Sequence, residues 1–421
     1  MVLDTGLLVV GALGVAVVFG SRVLRSLPLT APLVALAVGV ALGPEGLDVA
    51  HFDHGMTILH GVSEIAVAVA LMAVALRFRW PTVARLARPV GLMVTLGMAG
   101  MAAIVAVLAW WLLDVEPAVA LLIGGVLAPT DPVLSSGVVT GDPATRTLPE
   151  RVRALLSMES GLNDGLALPI VVAGTVLVLD EGAGTFAVEG LASLLIAVVL
   201  GIAAGMAAGE VFRRLDEAHD VEDSSFFVFT LVLAVAVLGG VNMVHGDGIL
   251  AVLVAGLAYN RQVGSSIYDK EREIDEGINR VLVLPLFVLF GTLLPWAEWD
   301  RMGTALLVFA VLVLLLRRLP VVFALQRPLR LDRADAAFYG WFGPIGAAAI
   351  FYATRAHEQH AAADVVWPAA ALVVTASTVV HGMTGTPARA LYQRTIGERG
   401  EPDADDEQES EEATAGANHD G

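Results

Sequence analysis

Apolar runs of nearly uniform length, separated by short polar or charged stretches, recur along almost the whole chain. Each is close to the ~20 residues a helix needs to cross a hydrocarbon core, whereas a membrane barrel would show short alternating segments. The runs predict helices over residues 3–20, 29–43, 58–76, 90–112, 117–139, 152–179, 188–211, 225–242, 247–259, 278–295, 303–322, 336–354 and 364–384. The expected fold class is an all-α polytopic membrane protein of about thirteen transmembrane helices. Leu7 to Phe19 reads as a retained first helix, because no basic residue precedes it and no small-residue cleavage site follows.

Lysine and arginine in short loops mark the cytoplasmic side. Loops after odd-numbered helices carry 23 of the 25 basic residues, and only Arg301 and Arg355 fall after even-numbered ones. That places the N-terminus outside and the C-terminus in the cytoplasm. Trp80, Trp110, Trp111, Trp296, Trp299 and Trp367 fall at predicted helix ends, as an interfacial belt requires.

Composition agrees, with 56% apolar and only 16% charged residues. There is no cysteine, which excludes disulfides, thiolate metal sites and cysteine nucleophiles. The formal charge of −18 is local, since Glu398 to Gly421 holds ten acids against one arginine and no large apolar residue. The chain therefore divides into a membrane transport domain over 1–396 and an acidic, disordered cytoplasmic tail over 397–421.

Thirteen helices allow two inverted six-helix halves joined by the seventh, an architecture that transporters use. The fifth contains Thr130-Asp131-Pro132 and its counterpart, the twelfth, contains Gly343-Pro344-Ile345-Gly346. A proline removes a donor and frees a carbonyl, which the bilayer tolerates where the freed groups line a cavity or coordinate an ion. Paired breaks of this kind predict two broken helices that cross.

The sixth helix carries Glu159, Ser160, Asn163 and Asp164 inside an apolar segment. Ionisable groups there cost ~2.5–3.5 kcal/mol on insertion scales and are functional by default. At ~1.5 Å per residue, Asp164 lies roughly 16 Å from the inner surface and Asp131 roughly 21 Å from the outer one. Both reach the middle of the membrane. Ser160 and Asp164 share a helix face, so a hydroxyl and a carboxylate can hold one hard cation, with Thr130 adding a hydroxyl or a freed carbonyl. Asp164, Asp131, Ser160 and Thr130 are thus the candidate ligands of a transported cation such as Na+. Burial favours a protonated carboxyl and a nearby cation favours the ionised form, so proton and cation compete for one site. With alternating access, that competition yields exchange.

Leu127-Ala128-Pro129-Thr130-Asp131-Pro132 and Glu159-Ser160-Gly161-Leu162-Asn163-Asp164-Gly165 resemble the two signature motifs of the monovalent cation:proton antiporter-1 family, which includes NhaP-type antiporters. Gly340 to Gly346, Phe287 to Trp296 and Gly246 to Leu250 look closer to the fungal plasma-membrane sodium/proton antiporter branch. The resemblance covers all thirteen helices and excludes the tail. It implies a homodimer in the cell membrane, working without a cofactor or nucleic acid, with a monovalent cation and a proton as substrates. Asp164 would bind ion and proton, Asp131 would support the site, Asn163 would order the helix crossing, and Glu64 would be an additional ligand. A solvated place for Glu64 near the outer mouth is the alternative. Asp247 matches an acid of the fungal branch, and a loop aspartate at the outer mouth is equally compatible. NhaP-type relatives carry arginine where Ile345 stands, pairing with the glutamate at the position of Glu159; here either Glu159 is neutral or another basic residue reaches it, with Arg280 and Arg333 as candidates. His245 and His381 are candidate pH sensors. Two other classes remain open: an intramembrane protease using Ser160 with His245 or His381, or Asp247, and a cation channel.

Overall fold

The computed structural model describes residues 30–77, 80–131, 134, 147–180, 183–217, 225–263 and 282–397, and every regular element among them is helical. The expected first helix, Pro132, Arg280 and the tail from 398 onward lie outside the described residues.

Local sequence sets the helix ends. Prolines stand in the first turns of α1 (Ala31–Leu42), α5 (Pro117–Leu127), α7 (Leu168–Leu179), α11 (Leu284–Thr292) and α13 (Leu319–Leu329). In the first turn the missing N–H has no intrahelical partner to lose. The remaining elements are α2 (Gly55–Arg77), α3 (Trp80–Leu92), α4 (Met98–Leu112), α6 (Glu150–Leu166), α8 (Ala183–Glu217), α9 (Ser225–Asn242), α10 (Gly248–Val263), α12 (Trp296–Leu316), α14 (Arg333–Trp341), α15 (Ala347–Glu358) and α16 (Ala363–Gly397). A π-turn at Met93–Gly97 joins α3 to α4, and a bend at Ala167 joins α6 to α7, making two continuous membrane spans. Among the described residues, six spans are long and apolar enough to cross a bilayer, and four shorter apolar helices accompany them.

The observed spans overrun the expected ones where polar residues begin. The span expected at 90–112 starts at Trp80, that at 303–322 covers 296–329, and that at 364–384 continues to Gly397. Hydropathy locates the bilayer, not the end of the hydrogen-bonded helix, which Arg85, Arg88 and Arg394 do not interrupt.

α2 is the central pillar. Its residues Ala66 to Leu76 are buried all round, against α6, α9, α10 and α15. Close approach relies on small residues, as packing between membrane helices commonly does. A Cβ on Gly39 of α1 or on Gly291 of α11 would collide with the other helix's backbone, and Gly201 and Gly205 bring α8 equally close to α10. Large apolar side chains turn outward instead, including Leu195 and Val199 on α8 and Leu307 and Val311 on α12. The molecule is apolar outside and carries its polar residues within, as a protein solvated by lipid must.

Candidate ion-binding site at two broken helices

The two expected breaks are present and meet. α5 ends at Leu127 and the chain runs non-helically through Pro129, Thr130 and Asp131, while α14 ends at Trp341 and regular helix resumes only at Ala347. Each break frees backbone groups that no water can satisfy. The partners they find define the site.

Asp131 joins the breaks. Its N–H donates to Pro344 O at 2.8 Å, and its carboxylate accepts from Leu134 N at 3.0 Å and from Ala347 N at 2.7 Å. One carboxylate therefore caps the first turn of α15 and the start of the chain beyond the first break, where helix N-termini favour negative charge. Gly346 makes room for this, because a Cβ there would overlap Asp131 Oδ2.

Asn163 ties α6 to the first break. Its Oδ1 accepts from Thr130 N at 3.1 Å, and its Nδ2 donates to Thr130 Oγ1 at 2.7 Å and to Glu159 Oε1 at 2.8 Å. The amide is filled by these contacts. Thr130 Oγ1 donates in turn to Ser160 Oγ at 3.0 Å. Thr130, Asp131, Glu159, Ser160, Asn163 and Asp164 are all buried.

Among the described residues, which do not include Arg280, the partner of Glu159 is not the Arg333 read from the sequence. Arg333 is exposed at the start of α14; the pairing residue is Arg318, at the bend between α12 and α13. Its Nη1 and Nη2 donate to Glu159 Oε1 and Oε2 at 2.8 and 2.7 Å, a bidentate geometry. Tyr339 OH donates to Glu159 Oε2 at 3.2 Å, and the guanidinium lies 4.7 Å over the Tyr339 ring. Neighbouring Arg317 does something different. Its Nη1 donates to Leu127 O, Ala128 O and Pro129 O at 2.7, 3.1 and 2.8 Å, and its Nη2 to Gly343 O. A single cation thus collects the carbonyls freed at both breaks. The arginine distribution groups both with a cytoplasmic loop, although the expected helix over 303–322 includes them. The signal it missed is that apolar residues flank the pair on both sides, Leu314-Leu315-Leu316 before and Leu319-Pro320-Val321-Val322 after.

Amid these filled groups, Asp164 stands apart. Its carboxylate is buried and Oδ1 has no hydrogen-bond partner, while its backbone carbonyl accepts from Tyr352 OH at 2.6 Å. A buried carboxylate oxygen left unsatisfied is unfavourable unless a proton or a cation occupies it.

Glu64 and Asp247 belong to a separate cluster near the start of α10. Asn242 Nδ2 donates to Glu64 Oε1 at 2.9 Å, and Asp247 caps α10 by accepting from Leu250 N at 2.7 Å. Asp247 also lines a cavity of ~830 Å³ with Arg355, Gln359, Ser193 and His245. No hydrogen bond among the described residues links Glu64 to Thr130, Ser160 or Asp164. The serine–histidine pair of a protease is not assembled either. Ser160 is bonded to Thr130, and His381 is engaged with Ser377 and Trp341.

Comparison with known proteins identifies the family. Residues 11–390 match the transmembrane sodium/hydrogen exchanger family. The Na(+)/H(+) antiporter 2 of Zygosaccharomyces rouxii is 30% identical over 62% of this chain and 37% of that protein. The K(+)/H(+) antiporter NhaP2 of Shewanella sp. (strain MR-4) is 28% identical over 91% of this chain and 66% of that protein. This chain therefore spans well under half the length of the fungal relative. The solved sodium proton antiporter MjNhaP1 of Methanocaldococcus jannaschii superimposes with a TM-score of 0.74 at 20% identity, over 93% of this chain and 99% of its own, a likeness of fold. Two broken helices meeting at a buried aspartate, with a family match along nearly the whole described chain, make this protein a member of the transmembrane sodium/hydrogen exchanger family.

Proposed function

We propose that the protein is a secondary active transporter that exchanges Na+, Li+ or K+ for H+ by alternating access, with proton and cation competing for Asp164. The observation that carries this is the unpartnered Oδ1 of Asp164 among polar groups that are otherwise engaged. A proton satisfies that oxygen in one state and a dehydrated monovalent cation in the other. Ser160 Oγ on α6 and Thr130 Oγ1 in the first break, bonded to each other at 3.0 Å, are neutral oxygens that would complete the cation's shell. Asp131, Arg317 and Arg318 hold the crossing rigid, so movement of the site relative to the rest of the bundle carries the ion without remaking it. Relatives named as Na(+)/H(+) and K(+)/H(+) antiporters support the substrate class.

In this reading the two six-helix halves are inverted repeats and the protein works as a homodimer in the cell membrane. Its N-terminus is outside and its acidic tail is cytoplasmic, as the arginine distribution favours. Proteoliposomes carrying an internal pH indicator test the activity. Addition of Na+, Li+ or K+ to acid-loaded vesicles is expected to release protons, and the Asp164→Asn protein to release none. Equal release from the Asp164→Asn protein would overturn the assignment.

A further inference from the structure

His381 and Ser377 stand one turn apart on α16 and bridge the two ends of the second break. Ile345 N donates to Ser377 Oγ at 2.8 Å, Ser377 Oγ meets His381 Nδ1 at 3.2 Å, and His381 Nε2 lies 3.0 Å from Trp341 O. Trp341 is the last residue of α14, and Ile345 lies two residues before α15. Nδ1 also lies 3.0 Å from Ser377 O; with the ring proton on Nε2, one turn of an intact helix supplies a donor for the carbonyl that ends one half-helix and an acceptor for an N–H that precedes the other. The contact is held from the side as well. The His381 ring lies 5.6 Å from the Trp341 ring and 6.3 Å from that of Phe342, while Trp341 Nε1 donates to Thr384 Oγ1 at 3.2 Å. His381 and Ser377 are buried, and the charged groups that act on the ring are Arg317 and Arg318 across the break.

We propose that His381 and Ser377 are positioning residues of the exchange site, setting the unwound segment Phe342–Gly346 and, through it, the Ala347 N–H that holds Asp131. The inference rests on the exchange reading above. Arg317 and Asp131 fix the face of the break toward α5, and this pair fixes the opposite face. Without it, Ile345 N and Trp341 O lose their partners inside the membrane, and the segment relaxes away from Asp131.

Three variants, His381→Leu, His381→Gln and Ser377→Ala, test this in proteoliposomes, with cation dependence of proton release measured for each and folding checked by size-exclusion chromatography in detergent. Wild-type exchange is established first, and its absence would count against the exchange reading, not against this pair. His381→Leu is expected to raise the half-saturating cation concentration about tenfold, with a smaller change in maximal rate. His381→Gln, which keeps a donor and an acceptor, is expected to stay within about threefold of wild type. Ser377→Ala combined with His381→Leu should be no worse than the weaker single variant, since the two act as one chain. If His381→Leu fails to fold, Ser377→Ala read by hydrogen exchange of residues 342–347 takes its place, with faster exchange expected. Wild-type cation dependence in His381→Leu, damage in His381→Gln equal to that in His381→Leu, or unchanged exchange in Ser377→Ala would overturn the proposal.

Discussion

Arg318 and Glu159, far apart in sequence, form a bidentate ion pair in which both side chains are almost entirely buried, at 3% and 0% exposure. Removing one member of such a pair strands a charge in low dielectric and costs about 3–5 kcal/mol, more than the pair itself contributes. Arg318→Leu is therefore expected to lower the melting temperature sharply in detergent. Adding Glu159→Leu should recover much of the loss, because the double variant leaves no bare charge. Equal melting temperatures for Arg318→Leu and wild type would show the pair to be dispensable.

Asp164 makes the opposite prediction. Its Oδ1 has no hydrogen-bond partner, so Asp164→Asn gives up no protein contact at that oxygen and should change stability by less than about 1 kcal/mol while abolishing exchange. A cation that binds the native state raises stability by mass action, so Na+ should raise the melting temperature of wild type and not of Asp164→Asn. A sodium-dependent shift in the variant would place the cation elsewhere.

Arg317 serves as a collector of carbonyls, and that depends on the planar fork of its guanidinium. Lysine keeps the charge but presents a single point, unable to reach both Pro129 O and Gly343 O in the same geometry. Arg317→Lys should fold and lose about tenfold in exchange rate, and Arg317→Met should fail to accumulate in membranes. Wild-type exchange by Arg317→Met would remove the breaks' dependence on this cation.

The membrane architecture, both breaks and the polar cluster of α6 were legible because each violates a simple rule: apolar runs too long for a soluble fold, prolines inside spans, acids at mid-membrane. The pairing was not. Arg317 and Arg318 look like a loop in any window that scores arginine as surface, and only the bend between α12 and α13 takes them inward. The role of Asp131 as a cap on backbone N–H groups was equally hidden, since it depends on which turn of α15 the crossing brings to it. Glu64 is bonded to Asn242 of α9, a partner that depends on helix rotation and that spacing alone does not fix.

The acidic tail should be dispensable for transport. Glu398 to Gly421 has no large apolar residue with which to pack on the membrane domain. Truncation after Arg399 is expected to leave the rate and pH dependence of exchange unchanged within about twofold. A displaced pH profile in the truncated protein would make the tail regulatory.

Stoichiometry follows from which acids at the crossing are free to take a proton. Asn163 cannot titrate, and its amide is filled by Thr130 and Glu159. Glu159 is held by Arg318 through both oxygens, so the arginine missing at Ile345 is replaced from another helix and the carboxylate keeps a fixed counter-charge. Asp131 has both carboxylate oxygens engaged by backbone N–H groups, those of Leu134 and Ala347, in holding the crossing. On the proposed mechanism Asp164 is then expected to be the single proton carrier, with one positive charge crossing in each direction and an electroneutral cycle. Moving one elementary charge through 100 mV is worth ~2.3 kcal/mol, so an electrogenic exchanger would respond strongly to voltage and this one should not. A potassium-diffusion potential set with valinomycin across proteoliposomes, at fixed ion and pH gradients, is expected to leave equilibrium sodium accumulation unchanged. Accumulation that follows the imposed voltage would require a second titrating acid. Repeating the measurement with Glu159→Gln would then show whether that acid is Glu159 released from Arg318.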